Sequence, residues 1–173
     1  MALKNPKEKG ERLNLSAGLL MFRIKGGELQ VFLVHPGGPF WAKKDEGAWS
    51  IPKGEVQENE PRLDTAIREF EEEIGVMPKG EFLELGSIKQ RGGKTVHAWA
   101  FEGDYDESRP IKSNLFSMEF PPGSGKIREF PEIDKDRFFD LEEASKKINP
   151  AQVEFIERLQ SELNSKVIKD KKS

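Results

Sequence analysis

GEVQENEPRLDTAIREFEEEIGV, residues 54–76, is the stretch that decides the fold. Leu63, Ala66, Ile67, Phe70 and Ile74 recur at steps of three and four, the spacing of one buried helix stripe. Pro61 suits the first helical position, where a missing N–H costs nothing. Gly75 suits the stop, because glycine enters the left-handed region without strain. At about 100° per residue, Glu69, Glu72 and Glu73 fall on one arc beside the apolar stripe, and Glu71 projects to its other side. Carboxylates three and four apart on a helix repel one another. A divalent cation removes that cost, and hard oxygen ligands grouped this way suit Mg²⁺ or Mn²⁺. A solvated acidic face is the other reading of such a run.

Spacing separates the two. Gly54 is followed after five residues by Glu60, and after seven more by Arg68-Glu69-Phe70-Glu71-Glu72-Glu73-Ile74-Gly75-Val76. The pattern resembles the Nudix box of the Nudix hydrolase family. Phe70 is the one soft departure, an apolar ring where the family more often has an aliphatic residue. The resemblance implies an α/β/α sandwich around a mixed central β-sheet, with the box helix on one side and C-terminal helices on the other. It implies metal-assisted hydrolysis of a nucleoside diphosphate linked to another group. It further implies that the Gly54 carbonyl, Glu69, Glu72 and Glu73 hold one to three Mg²⁺ or Mn²⁺ ions, and that Glu60 and Arg68 tie loop to helix through charged hydrogen bonds. The attacking water needs a base. Family precedent offers a Glu of the box run, or a Glu outside it shortly before the strand that leads to the last helix; there Glu132 is the first choice, with Glu129 and Glu119 as alternates.

The rest of the chain bounds this reading. Its 173 residues suit one domain, expected over 14–160, after a flexible segment 1–13 and before a polar tail 161–173. A net charge of −3 argues against nucleic-acid binding driven by bulk charge, and the absence of cysteine excludes disulfides and cysteine zinc sites. No apolar run is long enough to span a membrane, and the charged start lacks the apolar core of a signal peptide, so a cytoplasmic location is expected. A homodimer is expected only because many relatives are dimers; no interface is legible.

Leu15–Ile24 and Glu28–Val34 read as a hairpin around Gly26-Gly27. Glu81–Lys89 and Lys94–Glu102 read as a second, around Arg91-Gly92-Gly93, with Val96, Ala98 and Ala100 on one face and His97, Trp99 and Phe101 on the other. Shorter strands follow over 114–120 and 126–130. Asp140 to Glu143 forms a capping box for a helix through Ile148; Asn149-Pro150 breaks it, and Val153, Ile156 and Leu159 form the next stripe. The Gly- and Pro-rich loop from His35 to Gly47 carries Phe40, Trp41, Lys43 and Lys44. These stack on a nucleobase and meet phosphates, or else the two rings pin the loop to the core. Lys53 stands where many relatives have glycine. A lysine there resembles members that cleave diadenosine tetraphosphate or related polyphosphates; a solvated lysine is the alternative. His97 reads as structural, and Gln90, Arg91 and Lys94 are open either way. The stretches SAGLLMF, HPGGPFWAKKDEGAWSIPKGE and KQRGGKTVHAWAFEGD resemble a bacterial Nudix subgroup described as predicted NTP pyrophosphohydrolases. Three functions follow: hydrolysis of a dinucleoside polyphosphate or nucleoside triphosphate, hydrolysis of a nucleotide sugar such as ADP-ribose, or nucleotide binding without catalysis.

Overall fold

The apolar run Leu15–Lys25 forms strand β1 and is covered on both faces, which is why it barely alternates. Gly26 and Gly27, with φ of 60° and 80°, turn the chain into β2 (Glu28–Pro36), and Lys25 pairs with Glu28 across the turn. Two successive positive φ values are cheap only for glycine. The computed structural model describes residues 14–172. The expected flexible segment 1–13 lies outside them. The remaining strands are β3 (Lys53–Glu55), β4 (Leu83–Lys89), β5 (Thr95–Glu102), β6 (Leu115–Glu119), β7 (Ile127–Pro131) and β8 (Ile133–Asp140). The main sheet runs β4-β5-β1-β2-β8, with β3 added beside β1; β6 and β7 pair separately. β1 and β5 are parallel and the other pairs antiparallel, so the sheet is mixed, as expected.

Helix α1 spans Arg62–Ile74 and ends at Gly75, whose φ of 79° is left-handed and whose N–H returns to the Glu71 carbonyl. Pro61 stands one residue earlier than expected. Its backbone is extended (ψ 140°), so it caps the helix from outside, with its carbonyl accepting from Thr65 N at 3.1 Å. Ala66, Phe70 and Ile74 bury against Ala17, Leu19, Met21, Trp99 and Phe101 on one sheet face. The other face presents Leu20, Phe22, Val96, Ala98 and Ala100 to Ile148, Phe155, Ile156 and Leu159. Alternation along β5 therefore divides the two cores as the sequence predicted.

The second core is closed by α2 (Leu141–Lys147), a 3₁₀ turn (Pro150–Gln152) and α3 (Val153–Lys172). Residues 161–172, read as a polar tail, continue α3 as helix. The break between helices is built by Asn149, whose side chain accepts from Ala151 N at 2.9 Å. Asp140 caps α2 by accepting from Glu143 N at 2.8 Å. Asp140→Ala should lower stability by about 1 kcal/mol, a fall of roughly 2–4 °C in Tm; an unchanged thermal melt would show that the cap contributes nothing. No described helix is long and apolar enough to cross a membrane.

Candidate active site

One end of the sheet gathers the residues singled out above. Ala17 of β1 pairs with Gly54, and Pro36 at the end of β2 pairs with Ile133, the first residue of β8. Against Gly54 lies Glu69: a Cβ on Gly54 would stand 2.0 Å from the Glu69 carboxyl carbon and 2.3 Å from its Oε1. Glycine is required here by close approach, not by its backbone angle.

The loop before α1 is locked to it by Glu60. Arg68 Nε donates to Glu60 Oε2 and Nη2 to Oε1, both at 2.9 Å, and Thr65 Oγ1 donates to Oε1 at 2.6 Å. These bonds, Arg68 first, hold the Glu60 carboxyl down to about 2. Glu60 ionises more easily folded than unfolded. The pair thus contributes fully above the ordinary carboxylate pKa and loses that contribution as pH falls toward about 2. Wild type should therefore exceed Glu60→Gln by about 2 kcal/mol at pH 7 and by little at pH 2. Denaturant melts giving the same gap at both pH values would assign the stability elsewhere.

Beyond this pair the acids crowd. Burial pushes the Glu73 carboxyl up to about 8, helped by Glu69 and Glu132. Burial also raises Glu69, with Arg68 opposing and Glu72 and Glu132 adding to the shift. Half-buried Lys53 answers them: burial and then Lys94 lower its ammonium, while Glu73, Glu55 and Glu69 favour its charge. Fold thus brings Lys53, Glu69, Glu73 and the distant Glu132 within electrostatic reach of one another. Arg68 Nη1 also reaches Glu69 Oε1 at 3.1 Å and Glu72 Oε2 at 3.4 Å. No three His, Asp or Glu groups among the described residues converge as metal ligands do. The donor set nevertheless suits a hard divalent cation: half-buried, mutually repelling carboxylates, one of them packed against the Gly54 backbone.

The root of the aromatic loop is bonded to the segment that carries Glu132, through Gly37 N and the Glu132 carbonyl at 2.9 Å. Phe40 and Trp41 are 63% and 39% exposed, so they do not pin the loop to the core. Lys43 and Lys44 are exposed, and the Lys44 ammonium lies 5.0 Å from the Trp41 ring centroid. Phe116 of β6 packs on the loop at Gly38, where a Cβ would meet its ring at 2.7 Å. Of the alternate bases, Glu119 is engaged with Gly125 N at 3.0 Å, and Glu129 sits opposite Ser117 on the outer hairpin. His97 stacks on Trp99 at 4.2 Å and bridges Glu84 and Arg62.

Sequence reasoning passed over two buried polar groups. Gln152 accepts from Ile51 N and donates to Ser50 and Gln90, so it holds the approach to Lys53 and Gly54. No local pattern marks it. His35 bonds Asp134 and the Lys44 carbonyl, each at 2.6 Å. Alternation from Val31 and Leu33 put His35 on a buried strand face, and that signal was available. Farther off, a cavity of about 660 Å³ opens beside Arg23 and Arg109, at the opposite end of β1 from Gly54, and its Arg23 is already paired with Asp104 and Glu107.

A mixed sheet between two helical layers, with a glutamate-rich helix packed against the short strand that carries Gly54, is an α/β sandwich with its acids gathered on one helix. The NUDIX domain profile matches residues 12–159, and the chain belongs to the Nudix family of pyrophosphohydrolases. No curated protein matches its sequence. Its fold is similar to that of a Caenorhabditis elegans Ap4A hydrolase in a binary complex, at 19% identity and TM-score 0.60, over 87% of this chain and 98% of that one. It is similar to the NUDIX domain of Shewanella oneidensis NrtR, complexed with ADP ribose, at 17% identity and TM-score 0.61, over 92% and 93%. A MutT protein from Methanosarcina mazei Go1 aligns at 19% identity and TM-score 0.55, over 93% and 98%.

Proposed function

We propose that residues 14–160 form a Mg²⁺- or Mn²⁺-dependent pyrophosphohydrolase of a dinucleoside polyphosphate or nucleoside triphosphate, acting in the cytoplasm. The observation that carries the substrate class is Lys53, a half-buried cation set against Glu69 and Glu73, with Lys94 also acting on it. Two neighbouring ammonium groups beside a phosphate-hydrolysing centre suit a long, highly charged phosphate chain. Likeness to an Ap4A hydrolase fits this choice.

The Gly54 carbonyl, Glu69, Glu72 and Glu73 would hold the cation. When bound it stabilises negative charge on phosphate oxygens and acidifies an attacking water. Glu132 accepts the water's proton; it is exposed, unlike Glu73, yet acts on both Glu69 and Glu73. Lys53 neutralises the phosphate chain. Phe40 and Trp41 stack on a base, and Lys43 and Lys44 meet outer phosphates.

The test is product formation with Mg²⁺ or Mn²⁺ across diadenosine tetraphosphate, the NTPs and ADP-ribose. Turnover of a polyphosphate that stops on adding chelator supports the reading. Turnover of ADP-ribose alone replaces the substrate class, and nucleotide binding without turnover replaces catalysis by sensing.

A further inference from the structure

His35 is 1% exposed, on the buried face that β2 builds with Val31 and Leu33. Its Nε2 lies 2.6 Å from the Lys44 carbonyl oxygen and its Nδ1 2.6 Å from Asp134 Oδ1. A carbonyl oxygen only accepts, so Nε2 carries a hydrogen and donates to Lys44. The Nδ1 bond needs a proton as well, shared between the ring and the Asp134 carboxyl. This makes a charge-assisted bridge with both ring nitrogens occupied. Trp49 closes one side, its ring edge-on at 5.3 Å, and its Nε1–H donates to Asp45, next to Lys44.

The bridge joins two stretches of the proposed site. Lys44 ends the Phe40–Lys44 loop, and Asp134 is two residues past Glu132. The root of the loop is pressed on the same strand end: Gly37 N donates to the Glu132 carbonyl at 2.9 Å, and a Cβ on Gly37 would stand 2.0 Å from the Pro131 oxygen. Glu132 N in turn donates to Asn114 O at 2.8 Å. The loop is thus tied at its root and at its far end to the segment that carries Glu132.

We propose that His35 and Asp134 are a positioning pair, which registers the Phe40–Lys44 loop against Glu132 so that the loop and the base meet the substrate together. The inference rests on the roles given above to that loop and to Glu132. Neither member of the pair touches substrate. Their effect is geometric, in the way outer hydrogen bonds orient the groups that do the chemistry.

Three variants test it. His35→Phe keeps an aromatic against Trp49 but removes both bonds. Asp134→Ala truncates a side chain that is itself 28% exposed and leaves the buried His35 in place, and so threatens the fold less. Asp134→Asn keeps both bonds, since the new amide can donate to Nδ1 while Nε2–H still donates to Lys44. On whichever nucleotide the panel shows to turn over, kcat/KM should fall about ten- to a hundredfold in His35→Phe and Asp134→Ala and stay near wild type in Asp134→Asn. Trypsin cleavage after Lys43 and Lys44, followed by mass spectrometry, should accelerate about tenfold in the first two and not in the third, reporting the tie without turnover. Wild-type kcat/KM in both disruptive variants, or unchanged cleavage, overturns the proposal, as does an Asp134→Asn that behaves like Asp134→Ala. If His35→Phe fails to fold, the two Asp134 variants decide alone. A wild-type protein inactive on every nucleotide overturns the proposed function instead, and the cleavage rates still decide whether the tie exists.

Discussion

Glu73→Gln should lose roughly a thousandfold in turnover, the scale of removing one preorganised electrostatic group, or about 4 kcal/mol of barrier. It should also be the more stable protein at alkaline pH when no metal is present. Burial, Glu69 and Glu132 push the Glu73 carboxyl from 4.5 up to about 8. Below pH 4.5 both folded and unfolded chains hold the proton and there is no penalty. As pH rises from 4.5 to about 8, the unfolded chain ionises first, so stability falls, and the loss is complete above the folded value. Glutamine removes that loss, worth up to about 3 kcal/mol after discounting for partial solvation. The check is a pair of urea melts on metal-free protein at low and high pH, beside turnover of both proteins. Turnover within tenfold of wild type would remove Glu73 from the site. A variant no more stable at high pH would show that neither burial nor its acidic neighbours destabilise the Glu73 carboxylate.

Gly54→Ala should be nearly as damaging to activity, about a hundredfold or more, though the side chain it adds is one methyl. That carbon has to occupy space 2.0 Å from the Glu69 carboxyl carbon. Either β3 lifts away from α1, or Glu69 rotates off the strand and loses its place beside the Gly54 backbone. The atoms in the way are the far end of a flexible side chain, so the cost in stability should be small. The activity loss should exceed what such destabilisation explains, because the displaced group is a proposed metal ligand. Mn²⁺ titration makes the distinction: weakened binding in a folded variant fits displacement of Glu69, whereas wild-type affinity with lost activity would place Gly54 in some other role.

How much of this was legible in advance differs between elements. The helix over 62–74 was readable because its stripe and its glycine stop are local and periodic, and neither needs a partner to be recognised. Pro61 slipped by one residue, since proline's fixed φ suits the cap and the first helical turn equally well. The faces of β5 were readable for the same local reason. Exposure of Phe40 and Trp41 was not, because two aromatics in a polar loop carry no period that says which way they turn. Glu119, an alternate to Glu132 as base, is engaged by Gly125 N in the hairpin turn, a contact that no local pattern announces.

Local chemistry in the chain thus determined the box helix, its acid arc, the two hairpins and the division of apolar residues between two cores, because each depends on neighbours a few positions away. Tertiary structure alone decided that Glu132 faces Glu69 and Glu73 from about sixty residues downstream, that Arg68 draws two of the acids to itself, and that His35 ties a loop to the strand beyond Glu132. The physical reason is range. Helical and strand periods are set by backbone geometry over a few residues, whereas desolvation, ion pairing and hydrogen bonding between distant segments exist only after the sheet has closed.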